Sequence, residues 1–502
     1  MNSTPRIAVI GAGPGGLMCA RVLQRHGIEV TVYDADASAT SRNPGGTLDL
    51  HTDSGQIALE DAGLLAEFNA LARPEGQAKR SLNQHGDVLG EYIPAEDETA
   101  APEIDRGQLR VLLAESVAPG TVRWGHKLVA ALPLGGGEHR LRFADGTSVE
   151  VDLVIGADGA WSRVRPLVTA AEPHYTGISF LDACYEDVES RHPRIAKLVG
   201  DGHMFASGNE RAIIGQRNSN GHVRAYVAMR TDLDWYYKAG IDLADTDAVR
   251  RFLVREFDGW AGELLPFITD TDGGFVNRAI HALPAPLTWE HTPGVTLLGD
   301  AAHVMAPFGG FGVNLAMLDG AELARALATE ADVDAAVTRY EATMLPRSGP
   351  MAVGANNALD GFFSAGEPDP ADIPDFKADG RKYQDNAAEY RRRRSTRSAD
   401  GTWTISFKTP GGEQRNELVL GTTGDTLTGR LNGTAVENGR IQGDELSFTA
   451  RLTSPFPMKI TCTASICGDS MTGIAKAAMM SVPFTGTRAA GADPSTSSTS
   501  GE

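Results

Sequence analysis

The segment Gly11-Ala-Gly13-Pro-Gly-Gly16 constrains this chain more than any other. An apolar run, Ile7-Ala8-Val9-Ile10, precedes it. A helical stretch over residues 17–26 follows, and a second strand signal over residues 29–33 ends in Asp34. Strand, glycine turn, helix and strand make a βαβ unit, which calls for a parallel sheet. Each glycine has a physical task in that setting. Gly11 permits the turn, Gly13 lets backbone approach a pyrophosphate, and Gly16 lets helix and strand pack closely. The amides at the helix N-terminus favour anionic phosphates. Asp34 stands where an acid about 20 residues on accepts from ribose hydroxyls. The pattern predicts dinucleotide binding and leaves NAD against FAD open.

At 502 residues the chain is too long for one ordinary domain. Its formal charge is −19, from 65 acidic against 46 basic residues, which excludes a general nucleic-acid or anionic-membrane binder. Its four cysteines, Cys19, Cys184, Cys462 and Cys467, are too few for a disulfide scaffold and lack zinc-ribbon spacing, so no metal is expected. The polar start, residues 1–6, does not read as a signal peptide. No apolar run reaches the ~18 residues of a membrane span. The expectation is a cytoplasmic monomer.

Other segments fill out the organisation. Leu153-Val154-Ile155 and Val295-Thr296-Leu297-Leu298 suit buried strands. Residues 169–275 carry alternating runs, such as Val223-Arg224-Ala225-Tyr226-Val227, that suit a mixed sheet. Residues 318–346 have helical spacing. Between Lys377 and Arg397 eight basic and three acidic residues mark a solvated linker or helix over 377–400. Residues 401–489 read as all β, with turns at Gly411-Gly412, Asn432-Gly433, Asn438-Gly439 and Gly468-Asp469. About eight short strands suggest a small antiparallel barrel. Trp403, Phe407, Phe448, Phe456 and Phe484 are its candidate core, and residues 490–502 should be disordered.

Two later segments decide the cofactor. The run from Asp152 through Asp158-Gly159 to Ser162, Arg163 and Arg165 resembles the Asp-Gly motif of flavoprotein hydroxylases. Gly299-Asp300-Ala-Ala-His303, with Pro307-Phe-Gly309-Gly310-Phe-Gly312-Val-Asn314, resembles their second FAD motif. The chain is thus similar to the class A flavoprotein monooxygenases, which have the hydroxybenzoate hydroxylase fold. Over residues 5–350 it looks like the tetracycline-inactivating members, through Gly45-Gly-Thr-Leu-Asp49-Leu-His51, Pro102-Glu-Ile-Asp-Arg106 and Phe252 to Trp260.

The resemblance implies a Rossmann-like FAD-binding domain over residues 1–376, with the mixed substrate sheet at 169–275. It implies that Asp49, Arg106 and Asp300 contact FAD and that Arg42 lies where NADPH or NADH binds. Gly309, Gly310 and Gly312 would let backbone face the flavin, and a helix starting near Val313 would turn its positive end to the ring. The implied reaction is hydroxylation of a polycyclic phenol or enol, such as tetracycline or a related polyketide, by O2 through a flavin C4a-hydroperoxide. Asp182, His203 and Arg224 stand on the expected substrate sheet, where the tetracycline enzymes carry a different polar set. The C-terminal segment weakly resembles calycin-like small barrels. A bifunctional tailoring enzyme, whose barrel binds or cyclises the product, is therefore the alternative.

Overall fold

The computed structural model describes residues 5–41, 45–330, 332–409, 412–423, 425–442, 445–452, 458–467, 470–477 and 480–488. The chain divides into two compact units, residues 1–384 and 385–502. Arg42, Phe456, Gly411, Gly468, Asp469 and the tail at 490–502 lie outside the described residues.

The first unit is built on a five-stranded parallel sheet, in the order Val295–Leu297, Leu153–Gly156, Ile7–Ile10, Thr31–Tyr33, Val122–Arg123. Ile7 pairs with Leu153 and Ala8 with Thr31. Strands covered on both faces read as continuous apolar runs, and all four residues of Ile7–Ile10 are buried. Helix Pro14–Arg25 follows the glycine turn. A Cβ on Gly16 would stand 2.1 Å from the Gly11 carbonyl oxygen, so helix and strand meet only because that side chain is missing. Helix Phe311–Thr329 crosses Pro14–Arg25 by the same device, since a Cβ on Gly320 would stand 2.4 Å from the carbonyl oxygen of Gly15.

The helical stretch expected at 318–346 is two helices, Phe311–Thr329 and Val333–Phe362, the second carrying Pro346 and Pro350 inside it. The mixed sheet has seven strands and reaches beyond 169–275 at both ends. Its order is Val276–Ala282, His174–Tyr185, Val223–Arg230, Arg211–Arg217, His203–Gly208, Lys79–Asn83, Val88–Tyr92. Two of its strands come from a hairpin that precedes the rest by more than 80 residues of chain, and periodicity alone cannot assign such strands to a sheet.

The basic stretch read as linker or helix is helix, Phe376–Ser398, and runs across the boundary of the two units. The second unit holds nine strands between Gly401–Thr409 and Met480–Arg488. Pairing of Gly412–Thr423 with Thr426–Leu431 closes eight of them into an antiparallel barrel. Asn432 and Asn438 take positive φ, 47° and 51°, at the turns expected there. Trp403, Phe407, Phe448 and Phe484 are buried inside, with Ile405, Leu418 and Ile466. The Arg488 guanidinium lies 4.2 Å from the Trp403 ring centroid, and the indole N–H donates to the Ala399 carbonyl. The barrel interior is a packed core, as is the rule for small barrels.

Candidate active site

One cavity of about 1530 Å³ within the first unit joins the glycine turn to a face of the mixed sheet. Drug-sized ligand pockets run to roughly 1,000 Å³, so this one has room for a dinucleotide and a second molecule. Gly11, Gly13, Gly16, Asp34, Asp49, Arg106, Asp158, Gly159, Asp300, Gly309, Gly310 and Gly312 all line it. Residues scattered over 300 positions of sequence are thus brought to one wall system.

At the glycine turn, helix Pro14–Arg25 starts without a side-chain cap or an acidic residue in its first turn. Its leading amides are left for an anion. A Cβ on Gly13 would meet nothing within 4 Å, so that position faces open cavity. The Asp34 carboxylate accepts from the backbone N–H of Ala12 at 2.6 Å and of Asp36 at 2.8 Å, which ties the strand end to the turn. Arg110 lies 2.8 Å from Asp36 and 3.6 Å from Asp34.

The Asp-Gly segment and the second motif are fastened together. Asp158 accepts from the Ser162 hydroxyl at 2.6 Å and the Arg163 amide at 2.7 Å, and burial raises its pKa. Arg165 donates to the carbonyls of Ala160 and Ala301, both at 2.8 Å. Asp300 opens the short helix Asp300–His303, which follows strand Val295–Leu297. Behind it, the buried Asp319 carboxylate accepts from His303 Nε2 at 2.7 Å, Arg347 at 2.8 Å and the Gly299 amide at 3.1 Å.

Helix Phe311–Thr329 also starts without a side-chain cap. Gly310 precedes it with φ 66°, and a Cβ there would stand 2.4 Å from the Asp49 carboxylate. Asn314 clamps this junction. It accepts from the His51 amide and donates to the carbonyls of Asp49 and Gly310, each at 2.8 Å. Burial opposes ionisation of Asp49. The hydrogen bond from His51 and the charges of Lys79 and His203 outweigh it and hold the carboxyl well below its usual range. Arg106 projects into the cavity and has no ion pair among the described residues. Burial lowers its pKa, with Tyr226 and Asp300 acting against that.

On the mixed sheet His203 stands in register between Lys79 and Gln216. Glu103, 1% exposed, accepts from His203 Nε2 at 2.7 Å, the Thr47 hydroxyl at 2.8 Å and the Lys79 ammonium at 3.3 Å. Burial works against its charge, but the neighbouring His203 and Lys79 hold its pKa down. The Gln216 side-chain oxygen is buried and has no partner among the described residues. Farther along the same face Phe205, Ile214, Phe180 and Ile280 form an apolar ledge, with Phe308 and Phe362 opposite.

Asp182 and Arg224 stand outside this lining. Asp182 accepts from Arg224 at 2.6 Å and Arg278 at 2.7 Å, which makes this buried carboxylate the centre of an ion cluster. Arg278 lines the cavity. Sequence reasoning passed over Lys79, Glu103, Gln216, Arg278 and Tyr383. Glu103 lies inside the motif that pointed to Arg106, and that was the one signal for it.

The open Cβ position at Gly13, the two uncapped helix starts and the unpaired Arg106 fit an elongated, polyanionic cofactor such as FAD. Among the described residues no His, Cys, Asp and Glu group could hold a metal ion, and no helix is long and apolar enough to cross a membrane.

Residues 4–246 and 288–349 match the FAD binding domain family. The chain is 32% identical over 362 residues to 3-amino-4-hydroxybenzoate 2-monooxygenase PtmB3 of Streptomyces platensis, covering 69% of this chain and 85% of the relative. It is 28% identical over 368 residues to monooxygenase penA of Penicillium thymicola, covering 64% and 84%. The crystal structure of tetracycline destructase Tet(55) superposes with a TM-score of 0.58 at 21% identity, covering 78% of this chain and 97% of that one. With this fold, these motifs and these relatives, the chain belongs to the FAD-binding-domain family of flavoprotein monooxygenases.

Proposed function

We propose that the chain uses NADPH or NADH and O2 to hydroxylate a small polycyclic phenol or enol, of the aromatic or polyketide kind. The observation that carries this reading is the cavity's two-part far end: a polar row at Lys79, His203 and Gln216, then the ledge of Phe205, Ile214 and Phe180. Such a wall orients a flat molecule with hydroxyls at one edge and carbon over the rest. The relatives' names point the same way, to a hydroxybenzoate and to tetracycline.

In this reading Gly11, Gly13 and Gly16 receive the diphosphate and Asp34 the adenosine ribose. Arg106 offers a positive charge, and Asp49, Asp300 and Gly309 to Gly312 border the redox ring. FAD, when bound, stores the electrons of the reduced nicotinamide and activates dioxygen. The protein's part is position, charge and exclusion of water. Arg42 is proposed as a nicotinamide contact from the family resemblance alone. Asp182 and Arg224 act on the substrate only through Arg278, which their ion cluster holds at the wall.

The bifunctional alternative asks the barrel to hold a product. Its described interior is filled by Trp403, Phe407, Phe448 and Phe484, so no chemistry is assigned to it.

The test follows NADPH oxidation in air by the FAD-loaded protein against a panel of tetracycline, hydroxybenzoates and polyketide phenols, with mass spectrometry of products. A substrate-stimulated rate and a gain of one oxygen atom are expected. Stimulated oxidation with no oxygen gained in any product would sink the hydroxylase reading.

A further inference from the structure

The Glu103–His203 pair does more than fill the polar end of the wall. Glu103 is anchored by Thr47 and Lys79 as well as by His203, so its carboxylate is fixed in place. It accepts from Nε2 of His203, so that nitrogen carries a proton, and in the neutral ring Nδ1 is the proton acceptor. Nδ1 has no partner among the described residues, and His203 lines the cavity. The ring lies parallel to that of Phe205, two residues along the same strand, with 6.0 Å between centroids and planes 9° apart. Carboxylate, oriented imidazole and open nitrogen form the constellation of a general base. Beside it stand an ammonium, Lys79, and the unpartnered Gln216 oxygen.

We propose that His203 is the general base that takes the proton from the substrate's phenolic or enolic hydroxyl, with Glu103 as its positioning residue. The proton passes from the substrate oxygen to Nδ1, and the O–H electron pair stays on the substrate as an oxyanion. Lys79 lies alongside to stabilise that charge, and the ring carbons become richer in electrons for oxygen transfer. Other titratable groups face this pocket: Asp49 from Thr47–Asp49, Arg106 at the start of helix Arg106–Ser116, Tyr226 from Val223–Arg230 and Arg278 from Val276–Ala282. None of them touches Nδ1. The proposal rests on the reading that the substrate hydroxyl lies at the polar end of the sheet.

The test uses the FAD-loaded full chain and 4-nitrophenol, whose ionised form is yellow. Difference spectra across pH report which form is bound. In the wild type the bound probe should ionise at lower pH than in water. In His203→Gln the inflection should rise by at least about one pH unit. Glu103→Gln should raise it by less, because the imidazole remains but its tautomer is no longer fixed. FAD retention by each variant checks that it folds, and a Glu103→Gln chain that fails to retain FAD leaves the His203→Gln comparison intact. A wild-type profile in His203→Gln, or a rise in Lys79→Met alone, overturns the base and assigns the ionisation to the ammonium. If the wild type binds no probe, the proposal is overturned together with the placement of the hydroxyl.

Discussion

His51 and Tyr383 stack ring on ring, with 4.0 Å between centroids and 12° between planes. His51 is 3.4 Å from Asp49, and Asp49 borders Gly310 at the start of helix Phe311–Thr329. A residue on helix Phe376–Ser398 is thereby in contact with the pair that supports the second motif. Tyr383→Ala is expected to lower stability by about 1–3 kcal/mol, from the lost ring pair and its burial. Tyr383→Phe keeps the stack and should melt like the wild type. Thermal unfolding of the two variants decides whether the ring or the hydroxyl matters.

Gly13→Ala and Gly16→Ala should part company. A methyl on Gly13 meets no protein atom within 4 Å, whereas one on Gly16 collides with the Gly11 carbonyl at 2.1 Å. The first variant should melt like the wild type without cofactor but bind FAD at least about tenfold more weakly, since the diphosphate needs that space. The second should be hard to fold at all. FAD titration by fluorescence beside apoprotein melting checks both.

Asp319 joins Gly299, His303 and Arg347, and removing it takes one acceptor from a guanidinium, an imidazole N–H and an amide. Asp319→Ala should cost about 3–5 kcal/mol. Burial resists its charge, but His303 and Arg347 lower its pKa below the ordinary value. A depressed folded pKa stabilises the protein above the unfolded value of about 3.9, and that stability is lost as pH falls toward the folded value. Melting temperature should therefore drop below about pH 5, and less steeply in Asp319→Asn. An identical pH slope in the two would show that other acids govern acid unfolding.

A chain ended after residue 384 should remain a folded flavoprotein, because the unit boundary falls there. One ended after residue 375 loses Tyr383 and Phe376 from the cavity wall and should retain FAD less well. Gel filtration with absorbance at the flavin band compares them. Aggregation of the longer truncation would mean that the first unit needs the barrel to fold.

The legible part of this protein was what local pattern encodes. The strand at Ile7, the turn at Gly11 to Gly16 and the two later motifs each carry their meaning within a few residues, and all reached one cavity. The barrel was legible from Asn-Gly turns and alternation. What sequence concealed was pairing over distance. Glu103 meets His203 across 100 positions, and Asp182 meets Arg278 across 96. Asp182 and Arg224 stand on the expected substrate sheet, and their pairing across its strands was not legible either. Alternation gives the face of a strand, but it does not say which charges on that face neutralise one another. Tyr383 was hidden for a different reason, as one of two tyrosines in a stretch whose charge dominated the reading.

The closure of the C-terminal strands constrains how that unit can meet other molecules. An open sheet offers its last strand's amides and carbonyls to any extended peptide. Here Gly412–Thr423 and Thr426–Leu431, which would be the two outer strands, are bonded to each other. Among the described residues the eight-strand ring therefore has no edge to lend. Any recognition by this unit would fall to side chains such as Val419 and Ile474, both exposed, and to its loops rather than to backbone pairing.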